Sequence, residues 1–339
     1  MARLEAVCRL MILFGGVANA ALVGSSTLQE FSSLVVFGDS YTDAGPEYYT
    51  PDPSQNFSTT TSTGGRIWPQ YVQQYTGANL YDYAVSGADC DSYFSPSRRN
   101  GVKQNQVPYF LKDKDYVGDN SLVIPVNETI YAIWIGTNDL GPASFFTDNR
   151  PSLSLLDYVE CVYAQLDALH DAGARNFVLL NLAPLNYAPM YALPENGGTI
   201  NTNFWKDEAA YNSNVTQVSE KMRQYVALLN SVYNYRTTEE VQISDRYPGS
   251  SFTIFDVHSL LSDMWHNPES YLNGTVPANV TSTITACGAA CKASEVRDSY
   301  LWYDSLHPSE QTDRIIAREF VDIVAGNSTW ARTWKSPSS

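Results

Sequence analysis

The sequence predicts an α/β protein built on an open parallel sheet with helices on both faces, and three observations carry the prediction. Short apolar runs rich in β-branched and aromatic residues recur five times along the chain. Segments of helical spacing separate them. Three of the runs break off abruptly into Gly, Ser, Asn or Asp. Strands alternating with helices are the pattern of a parallel sheet. Its strands are buried on both faces and therefore read as near-continuous apolar runs. All carboxyl ends of a parallel sheet lie on one edge, where ligands bind.

The elements follow in order. Leu34-Val35-Val36-Phe37 is the first strand and Gly38-Asp39-Ser40 ends it. Residues 46–65, rich in Pro, Ser, Thr and Gly, read as a long loop. A helix is expected over residues 66–75, with Pro69 in its first turn. Residues 80–85 form the second strand, broken by Ser86-Gly87-Ala88, and residues 104–116 a further helix. Residues 129–135 are the clearest strand and stop at Gly136-Thr137-Asn138-Asp139. Leu155, Leu156, Val159, Val162, Tyr163, Leu166 and Leu169 recur at spacings of three and four, which makes residues 154–171 an amphipathic helix ended by Gly173. Residues 176–182 are the fourth strand, 204–235 a long helix, and 252–257 the fifth strand. The last helix starts near Pro308 and lines Ile315, Ile316, Phe320, Ile323 and Val324 along one face.

The first twenty residues have the make-up of a secretory leader: Arg3 and Arg9, an apolar stretch from Leu10, and Ala18-Asn19-Ala20 as a cleavage site. Gly15, Gly16 and Asn19 interrupt the apolar run too early for a membrane span. Residues 21–339 are then expected to be one catalytic domain. Removing Arg3, Arg9 and Glu5 with the leader moves the net charge from −15 to −16. Such acidity argues against nucleic acid and anionic membranes as partners. A monomer is expected. Six N-x-Ser/Thr sequons, at Asn56, Asn127, Asn214, Asn273, Asn279 and Asn327, point to an extracellular glycoprotein. Of five cysteines, Cys8 leaves with the leader; Cys90, Cys161, Cys287 and Cys291 remain, an even number suited to two disulfides. Three connectivities exist. The compact Gly288-Ala289-Ala290 loop favours Cys287–Cys291, leaving Cys90–Cys161. No Cys/His spacing suits zinc, so neither metal nor cofactor is expected. The polar C-terminus does not suit a glycolipid anchor.

The chemistry collects at the strand ends. Ser40 sits where a nucleophile would stand in an α/β sheet. Among the four histidines, His170 lies on the amphipathic helix, and His258 and His266 bracket a short helical stretch, with His258 a reserve. His307 stands in Asp304-Ser305-Leu306-His307-Pro308. An aspartate three residues before a histidine can hold its Nδ1 hydrogen and leave Nε2 to take a proton from serine. Asp39 and Asp43 read as carboxylates that brace the loop. The Gly-x-Ser-x-Gly elbow of α/β-hydrolases is absent, since Thr42 stands at its second glycine.

Taken in order, Gly38-Asp39-Ser40, Gly87, Gly136-Thr137-Asn138-Asp139 and Asp304-x-x-His307-Pro308 resemble the sequence blocks of the GDSL or SGNH hydrolases. The longer strings Val36 to Asp43 and Tyr81 to Ala88 resemble the fungal acetylesterases of carbohydrate esterase family sixteen. The resemblance runs from residue 34 to about 325. It implies a three-layer α/β/α sandwich on a five-stranded parallel sheet, with Ser40 as nucleophile, His307 as base and Asp304 as its orienting acid. It also implies an oxyanion hole made by the backbone N–H groups of Ser40 and Gly87 and the Asn138 amide. Tyr41 stands where the family name has leucine, a departure expected to reshape the acyl pocket. Trp68 and Trp302 are further candidates to line the cleft. The expected activity is a secreted serine esterase that removes acetyl groups from plant cell-wall saccharides. The alternative from the same fold is a lipase or lysophospholipase acting on longer chains.

Overall fold

The computed structural model describes residues 31–45, 57–95 and 101–337. The leader and Asn56 lie outside the described residues. In chain order the elements are β1 (Ser33–Gly38), α1 (Trp68–Thr76), β2 (Asn79–Asp82), α2 (Val107–Lys114), β3 (Thr129–Trp134), α3 (Leu155–Asp171), β4 (Asn176–Leu180), α4 (Glu208–Tyr211), α5 (Val215–Thr238), β5 (Ser251–Phe255), α6 (Val257–His266), β6 (Asn279–Thr283), α7 (Ile284–Cys287), α8 (Ser294–Arg297), β7 (Tyr300–Trp302), α9 (Glu310–Val324) and β8 (Ala331–Lys335).

The main sheet runs β2-β1-β3-β4-β5-β8. Its first five strands are parallel and β8 joins β5 antiparallel. Every residue of β1 and β3 is buried, which requires cover on both faces and gives the three layers. α1 packs against α9, and α3 against α2 and α5.

The sheet exceeds the expected five strands by one. In Ala331-Arg332-Thr333-Trp334-Lys335 only Trp334 is buried, so no apolar run announces β8. It is an edge strand, and the flanking Arg332 and Lys335 suit an edge that must not pair further. A second, two-stranded sheet of β6 and β7 was also unforeseen.

Other boundaries moved for local reasons. The long helix expected from 204 begins at Val215, where Asn214 caps it by accepting the Gln217 N–H at 3.2 Å. β2 stops at Asp82, whose buried carboxylate accepts the N–H groups of Ala44 and Ala84, each at 2.8 Å. Burial, reinforced by Asp43, pushes that carboxyl well above its ordinary range.

Two disulfides, Cys90–Cys161 and Cys287–Cys291, staple the chain with separations of 71 and 4 residues. By loop length the first is worth about 4 kcal/mol and the second about 2 kcal/mol. Cys90–Cys161 ties the loop after β2 to α3. No helix of the described residues is long and apolar enough to cross a membrane.

Candidate active site

The strand order places a topological switch at β1, whose successor β2 lies on one side and β3 on the other. The chain leaves β1 at Gly38, opposite Trp134 of β3. A Cβ at Gly38 would run into the Trp134 carbonyl oxygen, so glycine is needed for the two strands to stay paired there. Buried Gln106 completes the exit. Its Oε1 accepts the Gly38 N–H at 2.9 Å and its Nε2 donates to the Gly38 carbonyl at 2.7 Å.

Ser40 follows two residues later and is 7% exposed. Its Oγ lies 2.8 Å from His307 Nε2. His307 Nδ1 is 3.0 Å from both Asp304 carboxylate oxygens. One of those oxygens also accepts the N–H groups of Leu306 and His307, at 2.9 and 2.8 Å. The turn therefore fixes the carboxylate before the imidazole meets it. With Nδ1–H donating to Asp304, Nε2 presents its lone pair to the serine hydroxyl. Ser309 caps α9 through the Thr312 N–H at 3.2 Å and anchors this turn from behind.

The other two strand-end loops converge on Ser40. Gly87 lines the cleft beside it with φ at +83°, a conformation that side chains resist. Asn138 follows β3 and donates one amide hydrogen to the Ala88 carbonyl at 2.9 Å. A primary amide has a second N–H to give. Asp139 accepts the Cys90 N–H at 2.8 Å and so joins this loop to the disulfide. Burial, with Asp89 adding to it, pushes the Asp139 carboxyl well above its usual range.

The two aspartates near Ser40 brace backbone. Asp39 accepts the Tyr41 N–H at 2.9 Å. Asp43 accepts the Gly45 N–H at 2.7 Å and both the N–H and the hydroxyl of Ser86, at 2.7 and 2.6 Å. Asp43 thus ties the Ser40 loop to the Gly87 loop.

Three expected lining residues are elsewhere. Trp68 is fully buried against Phe320, ring centroids 5.0 Å apart, and donates Nε1–H to Thr42 Oγ1 at 3.3 Å. Trp302 is buried core within β7. Both are too deep to meet a ligand. Tyr41 is buried behind His307, and its hydroxyl donates to the Leu306 carbonyl at 2.5 Å. Burial first, then Asp39 and Asp304, pushes its phenol far above the ordinary range, so it remains a neutral donor. Its effect is on the histidine turn, not on the acyl pocket.

The cleft itself has a volume of about 300 Å³. Ser40, Gly87, Asn138 and His307 are part of its lining, and Met190, Tyr191, Phe204 and Leu306 supply its apolar part. Met190, Tyr191 and Phe204 come from residues 185–212, a mostly irregular stretch with no periodicity to mark it. Leu306 alone was within reach, since it lies inside the Asp304–His307 turn.

The other three histidines do not line this cleft. His170 Nε2 is 3.2 Å from the Pro248 carbonyl, and His266 packs edge-on against Trp265. His258 sits at the start of α6, where burial lowers its basicity against the opposing pull of Asp256. Among the described residues no group of three His, Cys, Asp or Glu could hold a metal ion.

The sequence is also similar to known proteins. The sequence profile described as GDSL-like Lipase/Acylhydrolase matches residues 34–320. An acetylesterase of Hypocrea jecorina is 35% identical, over 95% of this chain and 97% of that protein. An acetylesterase of Thermothelomyces thermophilus is 26% identical, over 94% of this chain and 96% of the other. Among solved structures, an acetylxylan esterase from Geobacillus stearothermophilus aligns over 90% of this chain and 99% of its own, with 15% identity and a TM-score of 0.37.

Proposed function

The chain belongs to the GDSL-like lipase/acylhydrolase family and is a carboxylic ester hydrolase, and on that premise we propose that it is a secreted acetylesterase acting on cell-wall saccharides. The observation that carries the assignment of roles is the unbroken line Ser40 Oγ, His307 Nε2, His307 Nδ1, Asp304, with steps of 2.8 and 3.0 Å.

In the first half-reaction Ser40 Oγ attacks the ester carbonyl while its proton passes to His307 Nε2. Asp304 stabilises the imidazolium that forms. The carbonyl oxygen becomes negative and is received by the backbone N–H groups of Ser40 and Gly87 and by the Asn138 amide. Collapse of the tetrahedral intermediate breaks the bond to the leaving alcohol, whose oxygen takes the proton back from His307. Water, activated by the same histidine, then releases the acid from the acyl-serine.

The acetyl preference is supported by the small cleft and by relatives that carry the name acetylesterase. Export is supported by the leader and the sequons. Asn127, Asn214, Asn273 and Asn327 are exposed, and Asn279 is half-buried. The test is a panel of acetyl, butyryl and octanoyl esters, followed by product analysis on acetylated xylo-oligosaccharides. Falling kcat/KM with chain length is expected; preference for the octanoyl ester would overturn the reading in favour of a lipase.

A further inference from the structure

Phe204 is the one apolar ring of the cleft lining that stays largely exposed, at 43%, while its neighbour Trp205 is 3% exposed. A single exposed aromatic is ordinary on a protein surface. This one is held in place. Trp205 N–H donates to the Thr202 carbonyl at 3.2 Å, closing a tight turn around residue 204. The Trp205 ring packs against Phe146 and Tyr211 with centroids 5.4 and 5.5 Å away. Lys221 clamps that cluster by donating to the Phe146 carbonyl at 2.7 Å. With Trp205 anchored inward, the Phe204 ring stands edge-to-face with the His307 imidazole, centroids 5.1 Å apart.

That contact gives Phe204 a side of the reaction. The proton on His307 Nε2 goes to the leaving oxygen, so the leaving group has to depart along the imidazole. The acyl oxygen points the other way, toward Gly87 and Asn138. A ring touching His307 from the cleft therefore borders the leaving alcohol and not the acyl chain.

We propose that Phe204 is the floor of a leaving-group subsite that takes a pyranose ring by stacking. The electron-rich face of the phenyl ring suits the C–H face of a sugar, and no charged side chain is needed to hold a neutral saccharide. The proposal rests on the acetylesterase reading and adds the residue that selects the alcohol.

Kinetics on an acetylated xylo-oligosaccharide, ethyl acetate and ethyl butyrate test it, because ethanol is too small to stack. Phe204→Ala is expected to raise KM for the saccharide about tenfold with kcat retained. Its kcat/KM for ethyl acetate and its acetate-to-butyrate ratio should stay within about twofold of wild type. Phe204→Trp should keep the wild-type KM for the saccharide. An equal loss on ethyl acetate would overturn the subsite in favour of a role through His307, and a shifted acetate-to-butyrate ratio would move Phe204 to the acyl side. Wild-type enzyme with no preference for the saccharide over ethyl acetate would instead remove the saccharide reading itself, and with it the subsite.

Discussion

The two walls of the cleft are built on opposite plans. The rear wall comes from the loops after β1, β2 and β3 and from the Asp304–His307 turn after β7. Its side chains are tied by short hydrogen bonds to backbone: Asp39 to Tyr41, Asp43 to Ser86, Asn138 to Ala88, Asp139 to Cys90. The front wall comes from residues 185–212, a mostly irregular stretch whose aromatic rings pack against one another and against Phe146. Chemistry demands fixed polar groups, and strand ends with their cross-links supply fixed positions. Selection of a substrate demands shape, which packed rings supply without a backbone pattern. Damage to the rear wall should therefore fall on kcat, and damage to the front wall on KM.

The largest effects test the rear wall. His307→Ala should lower kcat by about 10⁶ and Asp304→Asn by about 10⁴, each with little change in KM. Asn138→Ala should cost about 10²–10³ in kcat and leave the melting temperature near wild type. Retention of more than about a tenth of wild-type turnover would contradict its place in the oxyanion hole. The tenfold change in KM expected at Phe204 comes next and belongs to the front wall.

A smaller effect lies behind His307. Tyr41→Phe removes the bond to the Leu306 carbonyl, worth about 1 kcal/mol. A fall in kcat of about fivefold with KM unchanged is expected. A change in acyl-chain preference would return Tyr41 to the acyl pocket.

The smallest effect concerns pH. Glu208 underlies the front wall, accepts the Asn201 N–H at 3.3 Å, and is 2% exposed. Burial pushes its carboxyl from 4.5 up to about 7. The unfolded chain releases this proton near 4.5 and the folded protein keeps it until about 7, so across that window the folded state binds more protons. Its contribution is whole below 4.5, declines as pH rises, and is lost above about 7. Glu208→Gln should flatten the decline of melting temperature between pH 5 and 8 without altering kcat. An unchanged slope would contradict the buried carboxyl.

The same contrast decides how much the sequence disclosed. Five parallel strands were legible because burial on both faces leaves apolar runs, and the meeting of Ser40, Asp304 and His307 because their short motifs, in order, resemble the blocks of a known family. β8 was not, since one buried Trp334 makes no run. Trp68 and Trp302 misled because composition favours aromatics at sugar sites, whereas both rings fill the core. Met190, Tyr191 and Phe204 left no signal, because a wall made by packing has neither period nor motif. Tyr41 was noticed as a departure, but its direction depended on the position of Leu306, 265 residues away.

The central claim is that Ser40 is the nucleophile of the rear wall. Treating the protein with a serine-directed phosphonate and mapping the adduct by mass spectrometry tests it directly. One adduct on Ser40 is expected, formed as hydrolysis is lost, and absent from a folded, inactive Ser40→Ala. An adduct on another residue, or hydrolysis that survives in Ser40→Ala, would contradict the account.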